Sequence, residues 1–328
     1  MTSGDAFSRP QAVLPIEEFR RALDAGELLL HYQPQVDLAS RQPRGAEALL
    51  RWQHPEGGLL PPSDFLPALA HTRLMPAVTD WVLNAACRAA ASWPGGSVSV
   101  NIAASDATRS TLVASVTGAL ERSGLSGDRL ILELTEHALV HDLDRATRNL
   151  RQLTKRGVRI ALDDFGTGYS SLLYLRQLPI NEIKIDGVFT RGLGRNHDDD
   201  AIVSGLVKLG QTIGVTVVAE GVETSAQHLA LVNLGCHVGQ GYFHGEPEPE
   251  FAPRSLSIEE QVEARRVRRR PRASEPVATL EAQEAIRELI REGASLHTIA
   301  AALNRQGLTT ASGQRWVGAT VGKALAQM

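Results

Sequence analysis

The sequence predicts an α/β chain in which a (β/α)8 barrel with an antiparallel first strand precedes a small all-α domain. Three observations predict it. Short β-prone runs alternate with helical periodicity over the first 242 residues, polar or charged residues close the runs, and the composition turns basic after residue 250. Alternating strands and helices indicate a parallel sheet, and eight such units in about 240 residues match one closed barrel.

The strands are read at 27–33 (ELLLHYQ), 46–52 (AEALLRW), 98–103 (VSVNIA), 129–135 (RLILELT), 158–164 (VRIALDD), 181–186 (NEIKID), 215–221 (VTVVAEG) and 236–242 (CHVGQGY). Helical spacers are read at 64–92, 106–123, 142–156, 197–213 and 225–234. One link departs from the pattern. Residues 34–45, PQVDLASRQPRG, hold two prolines and end on glycine, a poor crossover helix, so the first two strands are expected to form an antiparallel hairpin.

Composition narrows the class. With 43% hydrophobic and 22% charged residues the chain is of ordinary globular make-up, and no apolar run is long enough to span a bilayer. The opening MTSGDAFSRPQAVL lacks a secretory pattern, and Cys87 and Cys236 have no metal-ligand spacing, so free thiols in a cytoplasmic protein are expected. Residues 1–250 carry 22 Lys+Arg against 29 Asp+Glu, or −7, and residues 251–328 carry 12 against 8, or +4. An acidic body with a basic tail suggests two different partners.

The strand ends carry the chemistry. Glu47 falls in the second strand, and Asn101, Glu133, the adjacent Asp163 and Asp164, Lys184, Glu220 and Gln240 fall in later ones. In such barrels the active site forms at the carboxyl ends of several strands. A single polar strand end is most simply a solvated one, but a whole set, several inside apolar runs, is not. An unpaired buried carboxylate costs several kcal/mol, so the set is expected to face something positive. Oxygen donors without histidine or cysteine point to Mg²⁺ or Mn²⁺, and five carboxylates with one carboxamide suit two ions sharing a bridging carboxylate. Paired metals of this kind recur in attack on phosphate esters.

The motifs EALLR (47–51), VNIA, ELTE (133–136), DDFGTGYSSL, KID (184–186), AEGVE (219–223) and QGY, in this order over residues 13–250, resemble EAL-domain cyclic di-GMP phosphodiesterases. The resemblance implies that Glu47, Asn101, Glu133 and Asp163 hold one metal, with Asp163 bridging to a second held by Asp164 and Glu220. It implies that Lys184 positions the nucleophilic water, that Glu220 serves as general base, and that Gln33, Leu49, Arg51, Asp186 and Gln240 contact the dinucleotide. Glu136 would anchor the DDFGTGYSSL loop or, alternatively, cap the following helix; Arg51 and Lys184 have plain ion-pair roles as their rivals. A homodimer through the barrel and the product linear 5′-pGpG are implied as well. The chain departs from the family pattern at Ala70 and Arg73, where an acidic residue and a glycine are usual, and at Glu246, where a basic residue is usual. The rival reading is a non-catalytic cyclic di-GMP receptor regulating transcription.

After residue 250 a basic linker (251–278, with EARRVRRRPR) leads to helical periodicity at 280–292, 296–305 and 317–325. The run REGASLHTIAAALNRQGLTTASGQRW resembles the helix-turn-helix tail of serine recombinases. Domains are therefore expected at 1–250, 251–278 and 279–328. Duplex DNA is the partner this resemblance implies: Arg265, Arg266, Arg268, Arg269 and Arg270 would track phosphates, and Thr320 and Lys323 would lie on the recognition helix. The plain alternative is a helical packing tail behind a solvated linker.

Overall fold

The computed structural model describes residues 16–70, 72–135, 142–166, 171–251, 279–291, 296–310, 315–316, 320–321 and 324. The chain divides into two compact units, Met1–Gln261 and Val262–Met328.

The first unit is the expected barrel. Its strands are β1 (Leu28–Asp37), β2 (Pro43–His54), β3 (Gly58–Leu60), β4 (Ser97–Asn101), β5 (Leu130–Thr135), β6 (Arg159–Phe165), β7 (Glu182–Ile185), β8 (Thr216–Ala219) and β9 (Val238–Gln240). The sheet runs β1-β9-β8-β7-β6-β5-β4-β2-β3, and β1 also pairs with β2, so eight strands close a ring and β3 lengthens the β2 edge as a hairpin. β1 is antiparallel to both β2 and β9, whereas the pairings from β2 to β4 and on through β9 are parallel. The proline-containing link thus does make a hairpin instead of a crossover.

Two periodicities build the layers. On the strands, every second side chain faces the helices: Val98 and Val100, Leu130, Leu132 and Leu134, Ile183 and Ile185 are all fully buried there. The helices Met75–Ala91, Leu112–Ser123, Leu143–Thr154, His197–Ile213 and Ser225–Leu234 cover that face. Three of them stop at a left-handed glycine, Gly124, Gly214 and Gly235. The last begins with a capping box between Thr224 and Gln227.

Several expectations needed correction. The helix expected over 64–92 is broken into Leu66–Leu69 and Met75–Ala91, with Pro62–Asp64 forming a 3₁₀ turn, because Pro67 and Pro76 each demand a fresh first turn. Helices at Ile16–Ala25, Ser171–Gln177 and Gly187–Gly192 and strand β3 were not foreseen. The first of these buries Phe19 against Trp52 and Phe65, with ring centroids 5.2 and 5.3 Å away.

In the second unit the helices Leu280–Arg291 and Leu296–Arg305 share a core of Ile286, Ile299, Leu303, Trp316, Val321 and Ala324. Asn304 clamps the segment that follows, donating to the Trp316 carbonyl at 2.7 Å and accepting from its N–H at 2.8 Å. Thr320 is helical and half-buried, while Lys323 and residues 265–270 lie outside the described residues.

Burial pushes both thiols, Cys87 and Cys236, up to about 12. A thiol-disulfide reagent at pH 8 should therefore label neither cysteine in the native protein and both after denaturation. Rapid labelling of the folded chain would contradict this packing.

Candidate active site at the carboxyl rim of the barrel

The site is built by strand register. Glu47, Leu49 and Arg51 are two residues apart on β2 and share one face, while Ala46, Ala48, Leu50 and Trp52 are buried on the other. Glu47 stands opposite Gln33 of β1 and Ser99 of β4, so Leu49 comes level with Asn101 at the end of β4 and Arg51 projects past it. Asn101 stands opposite Glu133, and Thr135 opposite Asp163. Asn101 is the one member of the set that is exposed, because β4 ends at that residue.

Lys184 is the hub. It is fully buried, and its Nζ lies 2.7 Å from Glu133 Oε2, 2.7 Å from Glu220 Oε1, 3.3 Å from Glu47 Oε2 and 3.4 Å from Asp163 Oδ1. Amides brace the carboxylates from the other side. Asn101 Nδ2 donates to Glu47 Oε1 at 2.6 Å, and Gln240 Nε2 donates to Glu47 Oε2 at 2.5 Å and to Gln33 Oε1 at 3.1 Å. Gln35, which the sequence reading missed, fixes that amide by donating to Gln240 Oε1 at 2.9 Å. Its position two residues after Gln33, on the same strand face, was the available signal.

One ammonium cannot neutralise this set. Burial alone would discharge Lys184, but Asp163, Glu133, Glu220 and Glu47 outweigh it and hold the ammonium well above its ordinary range. Burial likewise opposes ionisation of Glu47, yet Lys184, Gln240 and Asn101 bring its carboxyl below the usual value. For Glu133 burial wins over Lys184, helped by Glu47 and Asp163, and the carboxyl is raised well above its usual value. Glu220 is pushed up to about 8 by burial, with Asp163 and Glu47 working against the relief from Lys184. Asp164 is raised too, by burial and by the neighbouring Asp163 and Asp186. The cavity is short of positive charge.

The adjacent aspartates pose a geometric problem, since neighbours on a strand point to opposite faces. A break in the β6–β7 register between Leu162 and Phe165 resolves it, together with a left-handed Asp164 (φ 54°). Asp163, Asp164 and Glu220 each bring a carboxylate oxygen within 4.8 Å of the others. A non-glycine residue in the left-handed region is uncommon and strained, so this strand end is shaped to present two carboxylates at one place.

The remaining residues fall into two groups. Gln33, Leu49, Asn101 and Gln240 line a cavity of about 920 Å³ whose apolar wall includes Met75, Val78 and Val82. The sequence assigns no role to that wall, nor to Arg191, Glu223 and Tyr242, which also line the cavity. Arg51 is half-buried and donates to the carbonyl of its neighbour Leu50 at 2.8 Å. Asp186 caps the helix Gly187–Gly192 by accepting from the Val188 N–H at 2.6 Å. Glu136, Thr167 and Gly168 lie outside the described residues.

A closed barrel with a buried acidic cluster at its carboxyl rim has the layout in which α/β-barrel enzymes carry their active sites. The EAL domain model matches residues 16–247, and the chain belongs to that family. It is 47% identical over 240 residues to the bifunctional diguanylate cyclase/cyclic di-GMP phosphodiesterase MucR of Pseudomonas aeruginosa, covering 71% of this chain and 35% of that protein. It is 40% identical over 238 residues to the cyclic di-GMP phosphodiesterase NbdA of the same organism, covering 71% and 30%. The chain thus spans about a third of the length of these relatives. Among solved structures, the PaMucR phosphodiesterase in complex with c-di-GMP superposes with a TM-score of 0.68 at 45% identity, covering 71% of this chain and 97% of that one.

Replacing Lys184 by Met should destabilise the metal-free protein by ~3–5 kcal/mol, because four carboxylates lose their buried counter-charge. Carboxyls raised in the folded state stabilise it at low pH and lose that contribution as pH rises through their folded values. For Glu220 the window runs from its ordinary 4.5 to about 8. The deficit in melting temperature should therefore be larger at pH 8.5 than at pH 5. A deficit independent of pH would contradict the charge account.

Proposed function

We propose that this chain hydrolyses cyclic di-GMP to linear 5′-pGpG at the barrel rim, with two divalent cations, Mg²⁺ or Mn²⁺. The observation that carries the reading is the buried carboxylate set around Lys184 in a chain of the EAL family. The donors fit such ions. They are carboxylate and amide oxygens, in excess of the single lysine, and burial together with neighbouring carboxylates raises Glu133, Glu220 and Asp164. Glu47, Asn101, Glu133 and Asp163 would hold one cation, and Asp163, Asp164 and Glu220 the other. The Asn101 amide reaches Glu47 through its nitrogen, and a flip of that amide presents the oxygen a cation needs. When bound, the cations supply Lewis-acid polarisation of the phosphate and a more acidic water.

The protein's own groups do the rest. Lys184, central to the carboxylates, orients and helps acidify the attacking water, and Glu220, 2.7 Å from its Nζ, takes the proton. The water oxygen bonds to phosphorus as the bond from phosphorus to the 3′ oxygen breaks, and that oxygen leaves with a proton. Gln33 and Gln240, linked at 3.1 Å, hold the dinucleotide together with Leu49 and Asp186. Arg51, beyond the end of β4, meets a phosphate with its fork of donors. Cytoplasmic location and dimerisation through the barrel belong to the same reading; among the described residues no helix is long and apolar enough to cross a membrane.

Glu47→Gln and Asp163→Asn should each lower turnover by at least about a hundredfold while the circular dichroism spectrum stays unchanged. Full turnover after EDTA treatment would exclude the metal account, and ligand binding without turnover would make the chain a receptor. With burial pushing Glu220 up to about 8, cation binding near pH 7 should displace a proton from it. Calorimetric titration with Mn²⁺ in buffers of different ionisation enthalpy should thus show proton release at pH 7 that diminishes by pH 9.

The second unit is proposed to bind duplex DNA. Support comes from its helical core and from the +4 charge of residues 251–328 (12 Lys+Arg against 8 Asp+Glu). Affinity of the full chain for duplex DNA should fall steeply with salt and vanish on truncation at Pro253. Alanine at Arg265, Arg266, Arg268, Arg269 and Arg270 should weaken all sequences alike, whereas changes at Thr320 or Lys323 should alter preference among them. Equal binding with and without the tail would leave these helices as packing.

A further inference from the structure

We infer that the cavity carries a second lobe, behind β2, that binds a small uncharged apolar molecule such as a simple aromatic ring. The inference does not depend on the cyclic di-GMP reading. Its starting point is that both faces of one strand line the cavity. Glu47 and Leu49 meet it from the inner face of β2, and Ala48 and Leu50 meet it from the face turned toward the helices. The strand between them divides the space in two. The lobes join over the end of β4, where Ile102 and Ala103 line the cavity just after Asn101.

The rear lobe is walled by aliphatic side chains. Leu50, Met75, Val78, Val82 and Ile102 are all buried, and all line the cavity. Met75, Val78, Thr79 and Val82 share one face of the helix Met75–Ala91 by their spacing. Thr79 is the polar member of that face, and its hydroxyl hydrogen is spent on Asp106 Oδ2 at 2.5 Å. Behind it Arg109 lies between two carboxylates, with Nε 3.4 Å from Asp106 Oδ1 and Nη2 donating to Asp80 Oδ1 at 2.5 Å. These three charged groups are paired with one another, and none of them lines the cavity.

A wall of this kind selects by what it cannot offer. A phosphate, sugar or charged head group would leave water and find no donor, since Thr79 has only a lone pair to give. Water is poorly held for the same reason, because a stable buried water needs about two to four polar partners. Enclosed apolar cavities stay dry and accept molecules such as benzene or xenon. A guanine base is a poor occupant, because its polar edge would go unpartnered. The joined cavity, about 920 Å³, stands near the top of the roughly 300–1,000 Å³ that ligand sites span, as two adjoining sites would.

The test uses the full chain, with toluene as the probe and benzoate as its charged counterpart. Saturating toluene should raise the melting temperature by about 2–4 °C, and benzoate should leave it unchanged. A crystal under xenon pressure should show xenon between Leu50, Val78 and Val82. Val78→Phe, which puts a ring into the lobe, should abolish the toluene shift. Should that variant fail to fold, Val78→Thr, nearly equal in shape but carrying a hydroxyl, should weaken toluene binding about threefold. Toluene should still bind when cyclic di-GMP and Ca²⁺ are present at saturation. Displacement by the dinucleotide would make the rear lobe a base pocket and overturn the inference. So would the absence of a shift, an equal shift with benzoate, or one that survives both substitutions. A chain that binds toluene but not cyclic di-GMP would fail the functional reading and leave this site standing.

Discussion

The buried ammonium of Lys184 is the interaction on which the rim depends. Four carboxylates from β2, β5, β6 and the end of β8 converge within 3.4 Å of it. Without that charge each would be driven to its neutral form or out into water. The lysine therefore lets the protein keep an over-acidic cavity folded without cations. It also leaves the cavity under-neutralised, and burial with the neighbouring carboxylates keeps Glu133 and Glu220 raised. Folding and the proposed cation binding draw on the same electrostatic imbalance.

Amide groups do the fine positioning. Gln35, Gln240 and Asn101 form a chain of hydrogen bonds ending on both oxygens of Glu47. Glu47 is brought below its usual value while Glu133 and Glu220 are raised, and those amides are part of the reason. A carboxylate so held does not swing to follow a ligand. Asp164 shows the opposite economy, in which a left-handed backbone is tolerated to aim a side chain that strand geometry would turn away.

Much of this was legible in the sequence, for reasons that differ by element. β4, β5 and β7 announced themselves as apolar runs because both faces of a barrel strand are enclosed, and each interruption, at Asn101, Glu133 and Lys184, marked the inward face at the rim. The hairpin of β1 and β2 was legible because its link lacks helix formers. The break before Met75 was harder to see, since apolar spacing runs on through Pro67 and Pro76. Arg191 and the Gln227 side chain that ties it to the turn at Glu223 could not be read at all. Their meaning lies in two loops meeting, and no local pattern encodes a meeting between segments 30 residues or more apart.

The antiparallel first strand carries a consequence for how the chain matures. Because β1 pairs with β9, the ring is sealed by contacts such as Gln35 with Gln240, which are 205 residues apart. During synthesis the hairpin of β1 and β2 emerges early, and its free edge must wait for the last strand. Until then Glu47 lacks the Gln240 bond, although the other carboxylates and Lys184 have already left the ribosome. A chain lacking β9 would thus hold seven of the eight ring strands, with the edges of β1 and β8 open. Completion of the last three-residue strand closes the ring and gives Glu47 its bond from Gln240.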